Sequence, residues 1–319
     1  MKFKQSLIAC CIAAASLTAP VVASHAAAPM VKTQAPGYYR TFVGDFEVTA
    51  LSDGTVELPM DKLLKTDPKA VKKALAAHDQ NLPLETSVNG FLVNTGAKLV
   101  LIDTGAGSLF GPTLGKLVAN LKAAGYTPEQ VDEIYITHMH PDHVGGLSVN
   151  GQRVFPNAIV RADQKDADYW LSADNLAKAP EDAKGFFQGA QAMLKPYVDA
   201  GKFKSFSGDT DLVPGIRAVV TYGHTPGHSV YEVSSKGQRM VMLGDLIHVA
   251  AVQFDQPRVA IAFDTDTKNA VKQRTATFNA ISKSGAEAAG AHLAFPGLGH
   301  IHREKMHYQW IPLNYQSAP

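Results

Sequence analysis

Cysteine is almost absent. The 319 residues contain two, Cys10 and Cys11, adjacent and close to the start. If that leader is removed, no disulfide, thiolate metal ligand or cysteine nucleophile remains. Charge is scarce as well: 18% of residues are charged and the formal net charge is +1. That balance gives no electrostatic case for a nucleic acid or an anionic membrane as partner. The apolar run from Leu7 to Leu17 is too short to span a bilayer.

That run has a different meaning. Lys2 and Lys4 precede it, and Ala23-Ser24-His25-Ala26-Ala27-Ala28 follows with small residues suited to cleavage. Residues 1–28 therefore read as a secretory signal cut near Ala26 or Ala28, implying export, to a bacterial periplasm, and no membrane attachment afterwards. Leu7-Ile8-Ala9-Cys10 resembles a lipoprotein box only faintly, because almost no apolar segment precedes it. Losing Lys2 and Lys4 from the 30 basic residues leaves 28 against 29 acidic ones, close to neutrality. With 45% hydrophobic residues, the remainder, 29–319, is expected to form one large α/β domain.

What the chain does have is one dense stretch, Thr137-His138-Met139-His140-Pro141-Asp142-His143-Val144-Gly145-Gly146. Val131 to Ile136 before it reads as a buried strand, and Thr127-Pro128-Glu129-Gln130 as a helix start. Polar groups thus gather where a strand ends and the chain turns, the usual location of sites in α/β proteins. Imidazole and carboxylate together suit zinc and its neighbours. His138 and His140, two apart, can point the same way and share one ion. Asp142 and His143, beyond Pro141, can reach a second. Gly145-Gly146 would let the backbone pass close to the cluster. A solvated, merely histidine-rich loop is the bland alternative, but other strand ends supply the missing partners.

Those ends follow in order. Tyr38 to Leu51 reads as a strand closed by Ser52-Asp53-Gly54, and Asp61 to His78 as a helix. Ser87–Val93 and Lys98–Ile102 form a hairpin pattern around Asn94-Thr95-Gly96, with Asp103 at its end. Leu114 to Ala124 is an amphipathic helix, and Asp166–Leu171 and Ala183–Leu194 are helical segments rich in aromatics. Further strands end at Gly223-His224, Gly244-Asp245 and Ala291-His292. The convergence of His138 to His143, His224, Asp245 and His292 on four strand ends is the main argument for a site.

T-H-M-H-P-D-H-V-G-G, G-H-T-P-G-H-S, L-G-D and A-H-L resemble the metallo-β-lactamase superfamily, whose fold is an αββα sandwich carrying two metal ions. P-G-Y-Y-R at 36–40, D-F-E-V-T-A-L-S-D-G at 45–54 and G-H-I at 299–301 resemble its methyl parathion hydrolase branch and the lactonase relatives of that branch, including dihydrocoumarin hydrolases. The resemblance implies that His138, His140 and His224 hold one ion, that Asp142, His143 and His292 hold the other, and that Asp245 bridges. Asp142 and Asp245 would then be the catalytic carboxylates. His292 is preferred to the nearby His300 and His302 because it ends a strand with Ala-His-Leu intact. Asp103 and His300 would support the ligands from behind, and His228 would hydrogen-bond within its turn.

The resemblance further implies a pocket of Leu63, Phe110, Trp170, Phe186, His248 and Phe263, with His248 and Phe263 on the lactonase side of the branch and neither of them a ligand. The expected activity is opening of lactone or aryl ester bonds by metal-bound hydroxide, with weak phosphotriesterase activity. Zinc is the default metal, with Mn, Co or Fe also suited to these donors, and a homodimer is implied. An organophosphate hydrolase is the alternative. A β-lactamase is disfavoured by the aspartate bridge, a nuclease by charge, and a non-catalytic metal-binding protein by the intact set of ligands.

Overall fold

Alternation along the strands decides the architecture. In Phe91-Leu92-Val93 and Val100-Leu101-Ile102, every residue is buried, so both faces of the sheet are covered. Phe91, Val93, Val100, Ile102 and Tyr135 face a second sheet, meeting Ala218, Tyr231, Val233, Met240 and Met242 from the other side. The opposite parity, Leu92, Leu101 and Ile134, packs on helices through Leu117, Leu121, Phe187 and Leu194. The second sheet divides in the same way, its outward Val230, Val241 and Ala288 meeting Phe278 and Ile281 of a long helix. Helix, sheet, sheet, helix is the resulting order of layers.

A computed structural model describes residues 28–317. The leader read over residues 1–28 lies outside these apart from Ala28. The first sheet contains Tyr38–Val43 (β1), Phe46–Leu58 (β2), Leu84–Asn94 (β3), Leu99–Ile102 (β4) and Glu133–Tyr135 (β5). A separate hairpin, Ser148–Val149 (β6) and Gln152–Arg153 (β7), precedes the sheet's last strand, Ile159–Arg161 (β8). The spatial order is β1-β2-β3-β4-β5-β8, antiparallel as far as β4 and parallel beyond. The second sheet holds Thr210–Val213 (β9), Ile216–Val220 (β10), Ser229–Ser235 (β11), Gln238–Met242 (β12), Glu287–Ala289 (β13), Leu298–Glu304 (β14) and His307–Pro312 (β15), in reverse spatial order. Only β12 and β13 pair parallel within it.

The helices are Met60–Leu63 (α1), Pro68–Ala76 (α2), Leu117–Ala123 (α3), Pro141–Val144 (α4), Gln164–Trp170 (α5), Ala173–Lys178 (α6), Lys184–Asp199 (α7), Ala250–Gln253 (α8) and Thr267–Ser284 (α9). The single helix expected over Asp61–His78 is two. Asp67 accepts from the Lys69 amide at 3.0 Å and Pro68 takes the first helical position, so a new helix starts there. The single strand expected over Tyr38–Leu51 is the hairpin β1–β2. Gly44 turns it at φ 57° against the Ser235 carbonyl, where a Cβ would collide.

Ser52-Asp53-Gly54 does not close β2. The strand continues to Leu58 through an irregularity in register between Ser52 and Gly54. Asp53 there accepts from the amides of Ala106 (2.9 Å), Gly115 (2.9 Å) and Leu117 (3.0 Å), fixing the loop that leads from β4 to α3. Burial pushes its carboxyl up, against those three amide bonds. Replacing Asp53 by Ala leaves three N–H donors without that acceptor. We expect urea unfolding to show a loss of about 2–4 kcal/mol. An unchanged midpoint would show that water satisfies the loop equally well.

Candidate metal centre

β5, β10, β12 and β13 end at one edge of the sandwich, and each hands over polar side chains there. After β5 the chain stays extended through His138 and His140, then enters α4 with Pro141 at the first helical position. Asp142 and His143 therefore sit on the first turn of a short helix, which is how six residues deliver two separate pairs. Gly145 and Gly146 serve a different contact from the one expected. A Cβ at either would collide with the carbonyls of Ala106 and Thr104, so they seat α4 on the Asp103–Gly107 loop.

The Asp245 carboxylate lies at the centre, and its two oxygens face different partners. Oδ1 is 3.1 Å from His143 Nε2 and 3.1 Å from His292 Nε2. Oδ2 is 3.2 Å from His224 Nε2 and 3.5 Å from His138 Nε2. Asp142 Oδ2 completes the first set, 3.4 Å from His292 Nε2 and 3.6 Å from His143 Nε2. His140 completes the second, its Nδ1 lying 3.2 Å from His224 Nε2. Three overlapping groups of potential donor atoms result: His138, His140, His224 and Asp245; Asp142, His143 and His292; and Asp245, His248 and His292. Asp245 Oδ1 also faces the second of these.

Hydrogen bonds behind the imidazoles fix their orientation. His143 Nδ1 donates to Asp103 Oδ2 at 2.8 Å, His224 Nδ1 to Asp264 Oδ1 at 2.9 Å, and His292 Nδ1 to the Ser87 carbonyl at 3.0 Å. His138 Nδ1 donates to Thr137 Oγ1 at 3.1 Å, and that hydroxyl donates to Asp103 at 2.8 Å. Asp103 does this from a left-handed backbone, φ 57°, which is uncommon for a residue other than glycine. His228 accepts from the Asp245 amide at 3.0 Å and donates to Thr221 Oγ1 at 2.8 Å. Gly244, at φ 51°, makes room for it, since a Cβ would lie 2.7 Å from His228 Nε2.

Do these residues fit a pair of metal ions? Among the buried polar atoms lacking a hydrogen-bond partner are His138 Nε2, His143 Nε2 and Asp245 Oδ1, all of which point into the cluster. Buried polar groups are seldom left unpaired, and nitrogen and oxygen donors converging in this way suit divalent cations. The donor set fits.

The cluster's own charges are uneven. Burial, then neighbouring histidines, hold His138 and His140 well below the usual imidazole range. At His143 and His292 burial acts in the same direction, but Asp245 and Asp142, joined at His143 by Asp103, outweigh it and raise both. His224 is pushed up to about 9, its hydrogen bonds to Asp245 and Asp264 overcoming burial. Burial costs Asp245 its charge less than His292 and His143 return, so its carboxyl is held well below the ordinary range.

Every ligand-type residue read from the sequence is brought together here, and Asp103 takes the supporting place expected of it. His300 does not. It pairs with Glu287 across β13 and β14 and lines a separate cavity of about 600 Å³ in which none of the cluster residues appears. The strand carries it away from the edge where His292 lies. His248 is closer than expected: its Nε2 is 3.1 Å from Asp245 Oδ2, its ring stacks on His292 at 5.1 Å, and Gln253 accepts from its amide. Burial brings it down to about 4. Its spacing from Asp245, i to i+3, was the available signal.

Asp264 and Asp166 carried no signal in the sequence. Asp166, buried on α5, accepts from the amides of Met139 at 2.9 Å and Gly227 at 2.6 Å, tying together the loops of His138–His140 and His224. Burial raises its carboxyl to about 6.

Two cavities adjoin the cluster. The inner one, about 30 Å³, is lined by Asp142, Asp245, Phe110, His248, Phe186 and Phe263 among others. The outer one, about 420 Å³, has Leu63, Tyr169, Trp170, Phe187 and, shared with the inner, Phe186 and Phe263. All six pocket positions expected from the sequence line one or both.

The metallo-beta-lactamase superfamily profile matches residues 84–288. Among curated relatives, an N-acyl homoserine lactonase of Bacillus cereus is 28% identical over 129 residues, 40% of this chain and 43% of that protein. The chain thus matches less than half the length of that relative. Among solved structures, hydrolase AbOPH of the beta lactamase superfamily is 41% identical with a TM-score of 0.85, over 89% of this chain and 100% of that one. AidC, a dizinc quorum-quenching lactonase in complex with a product N-hexanoyl-L-homoserine, is 27% identical with a TM-score of 0.81, over 88% and 99%. The layered fold, the histidine and aspartate cluster at its edge and the extent of these matches agree: this chain belongs to the metallo-beta-lactamase superfamily.

Proposed function

We propose that the chain is an exported dinuclear metallohydrolase that opens lactones and aryl esters of the dihydrocoumarin kind, with weak phosphotriesterase activity. The observation that carries this reading is Asp245, whose two carboxylate oxygens face two complete donor sets. His138, His140 and His224 would hold one ion, Asp142, His143 and His292 the other, with Asp245 shared. Two such ions supply Lewis acidity to an ester carbonyl and lower the pKa of water. The chain's own residues orient and exclude: Asp103, Asp264 and Ser87 hold the imidazoles, and Phe110, Phe186 and Phe263 give the inner cavity an apolar wall opposite its aspartates and histidines. The lactonase relatives support the substrate class, and the leader-like N-terminus supports export.

Asp245→Ala should abolish most dihydrocoumarin hydrolysis and reduce bound metal below two ions per chain, measured by elemental analysis. His292→Ala should lose metal too, whereas His300→Ala should keep it. Full metallation and turnover in Asp245→Ala would overturn the assignment.

Metal binding should release protons. Against the effect of burial, Asp245 and its neighbouring carboxylates raise His143, His224 and His292, and the metal-free protein holds protons on His143 and His224 near neutral pH. Zinc must displace them. Adding zinc to metal-free protein in weak buffer at pH 7.5 should acidify the solution. Affinity should then fall about tenfold for each pH unit by which the solution is made more acidic, per proton displaced. No acidification would mean that these imidazoles are already neutral.

The pocket residues should separate in their effects. Phe263→Leu removes an aromatic wall from both cavities, and should raise phosphotriester hydrolysis relative to dihydrocoumarin hydrolysis by about ten- to a hundredfold, as pocket contacts of this size allow. His248→Leu also removes a contact to Asp245, so metal content should drop in that variant alone. An unchanged kcat/KM ratio in metallated Phe263→Leu would show that the volume of this side chain does not set the preference.

A further inference from the structure

The two cavities beside the cluster contain no lysine or arginine among their lining residues. Apart from histidines, the charged side chains that line them are aspartates: Asp142 and Asp245 within, and Asp182 in the outer trough, where Asp264 contributes to the lining but turns its buried carboxylate to His224. Lys184, close in sequence, is tied to Glu181 at 2.6 Å. The trough's walls are aromatic, from Tyr169, Trp170, Phe186, Phe187 and Phe263. Aromatic faces carry negative potential and attract cations. Two divalent ions in the cluster would not reverse this. Their four positive charges would meet the four carboxylates that belong to the donor set or hold its imidazoles, Asp103, Asp142, Asp245 and Asp264, leaving no excess of positive charge.

We infer that the outer trough is a cation-accepting subsite, which selects esters whose non-reacting end is an alkylammonium group and rejects those whose end is anionic. This rests on the hydrolase reading and extends it to substrate charge. Aromatic walls alone would accept any apolar group. The presence of aspartate, without lysine or arginine, among the lining residues adds the sign, and the sharing of His140, Phe186 and Phe263 between the two cavities makes the trough continuous with the reacting end.

Three acetate esters of para-substituted phenols test it on the metal-loaded protein. The substituents are trimethylammoniomethyl, its neutral isostere neopentyl, and carboxymethyl, each insulated from the ring by a methylene. Rates are divided by those of uncatalysed hydrolysis at the same ionic strength. We expect kcat/KM for the cationic ester to exceed that for the neutral one by about 2- to 30-fold, the range that cation–π contacts support. The carboxylate should fall about tenfold or more below the neutral ester. Asp182→Asn should lower the cationic-to-neutral ratio. A carboxylate ester processed as well as the neutral one, or a cationic ester no better than it, would overturn the proposal. If none of the three is hydrolysed, the hydrolase reading fails instead. Calorimetric titration with choline, 3,3-dimethylbutan-1-ol and 3-hydroxypropanoate then decides the subsite alone. Tighter binding of choline than of its neutral isostere upholds it, and equal or weaker binding overturns it.

Discussion

The structure depends on one carboxylate. Asp245 is buried, and imidazoles press on both of its oxygens. A single acidic group with so many cationic or potentially cationic neighbours is costly to maintain in a low-dielectric interior unless its geometry is fixed. Much of the surrounding chain supplies that fixing. His228 accepts from its backbone amide, Gly244 gives His228 space, and Arg274 of α9 donates to the carbonyl of Leu246 next in sequence. Arg274 also bonds the carbonyls of Pro257 and Val259, 2.9 and 2.7 Å away, and burial lowers it to about 10. A buried guanidinium bonded to main-chain carbonyls ties Leu246, next to Asp245, to Pro257 and Val259.

How much of this was legible in the sequence follows from range. His138 to His143 could be read because all four groups lie within six residues, and the strand before them is written in Val131, Ile134 and Ile136. His292 was separable from His300 because it follows a strand end, at the edge where the cluster gathers, while His300 lies within a strand. β3 and β4 were visible as a hairpin pattern around Asn94-Thr95-Gly96, but not which parity would face the other sheet. Asp264 was hidden. It comes from an irregular segment, and only the fold brings it to His224, forty residues earlier in the chain. Asp53 was misread because Ser-Asp-Gly is a turn signal, while the strand passed through it with a bulge and used the side chain elsewhere. The hairpin β14–β15 was missed because its residues are polar and largely exposed on one face.

The position of His248 illustrates a different limit. Its place in the pocket was expected, but its contact with Asp245 joins two roles that a sequence treats as separate. A residue that shapes the cavity also touches the group on which the cluster is centred. That ring lies against both the Asp245 carboxylate and the pocket wall, whereas the Phe263 ring meets His248 at 6.4 Å and its side of the cluster is held by its chain neighbour Asp264, bonded to His224.

The same coupling recurs on a larger scale in α5. Asp166 on that helix grips the two loops that carry His138, His140 and His224, and Trp170, one turn further along, walls the trough. The helix is therefore a lever with one end in the ligand shell and the other against whatever enters. A change at Trp170 is made on the same short helix that clamps those two loops. Selection for new guests would then favour changes at the far wall, around Leu63 and Phe263, before it touched α5.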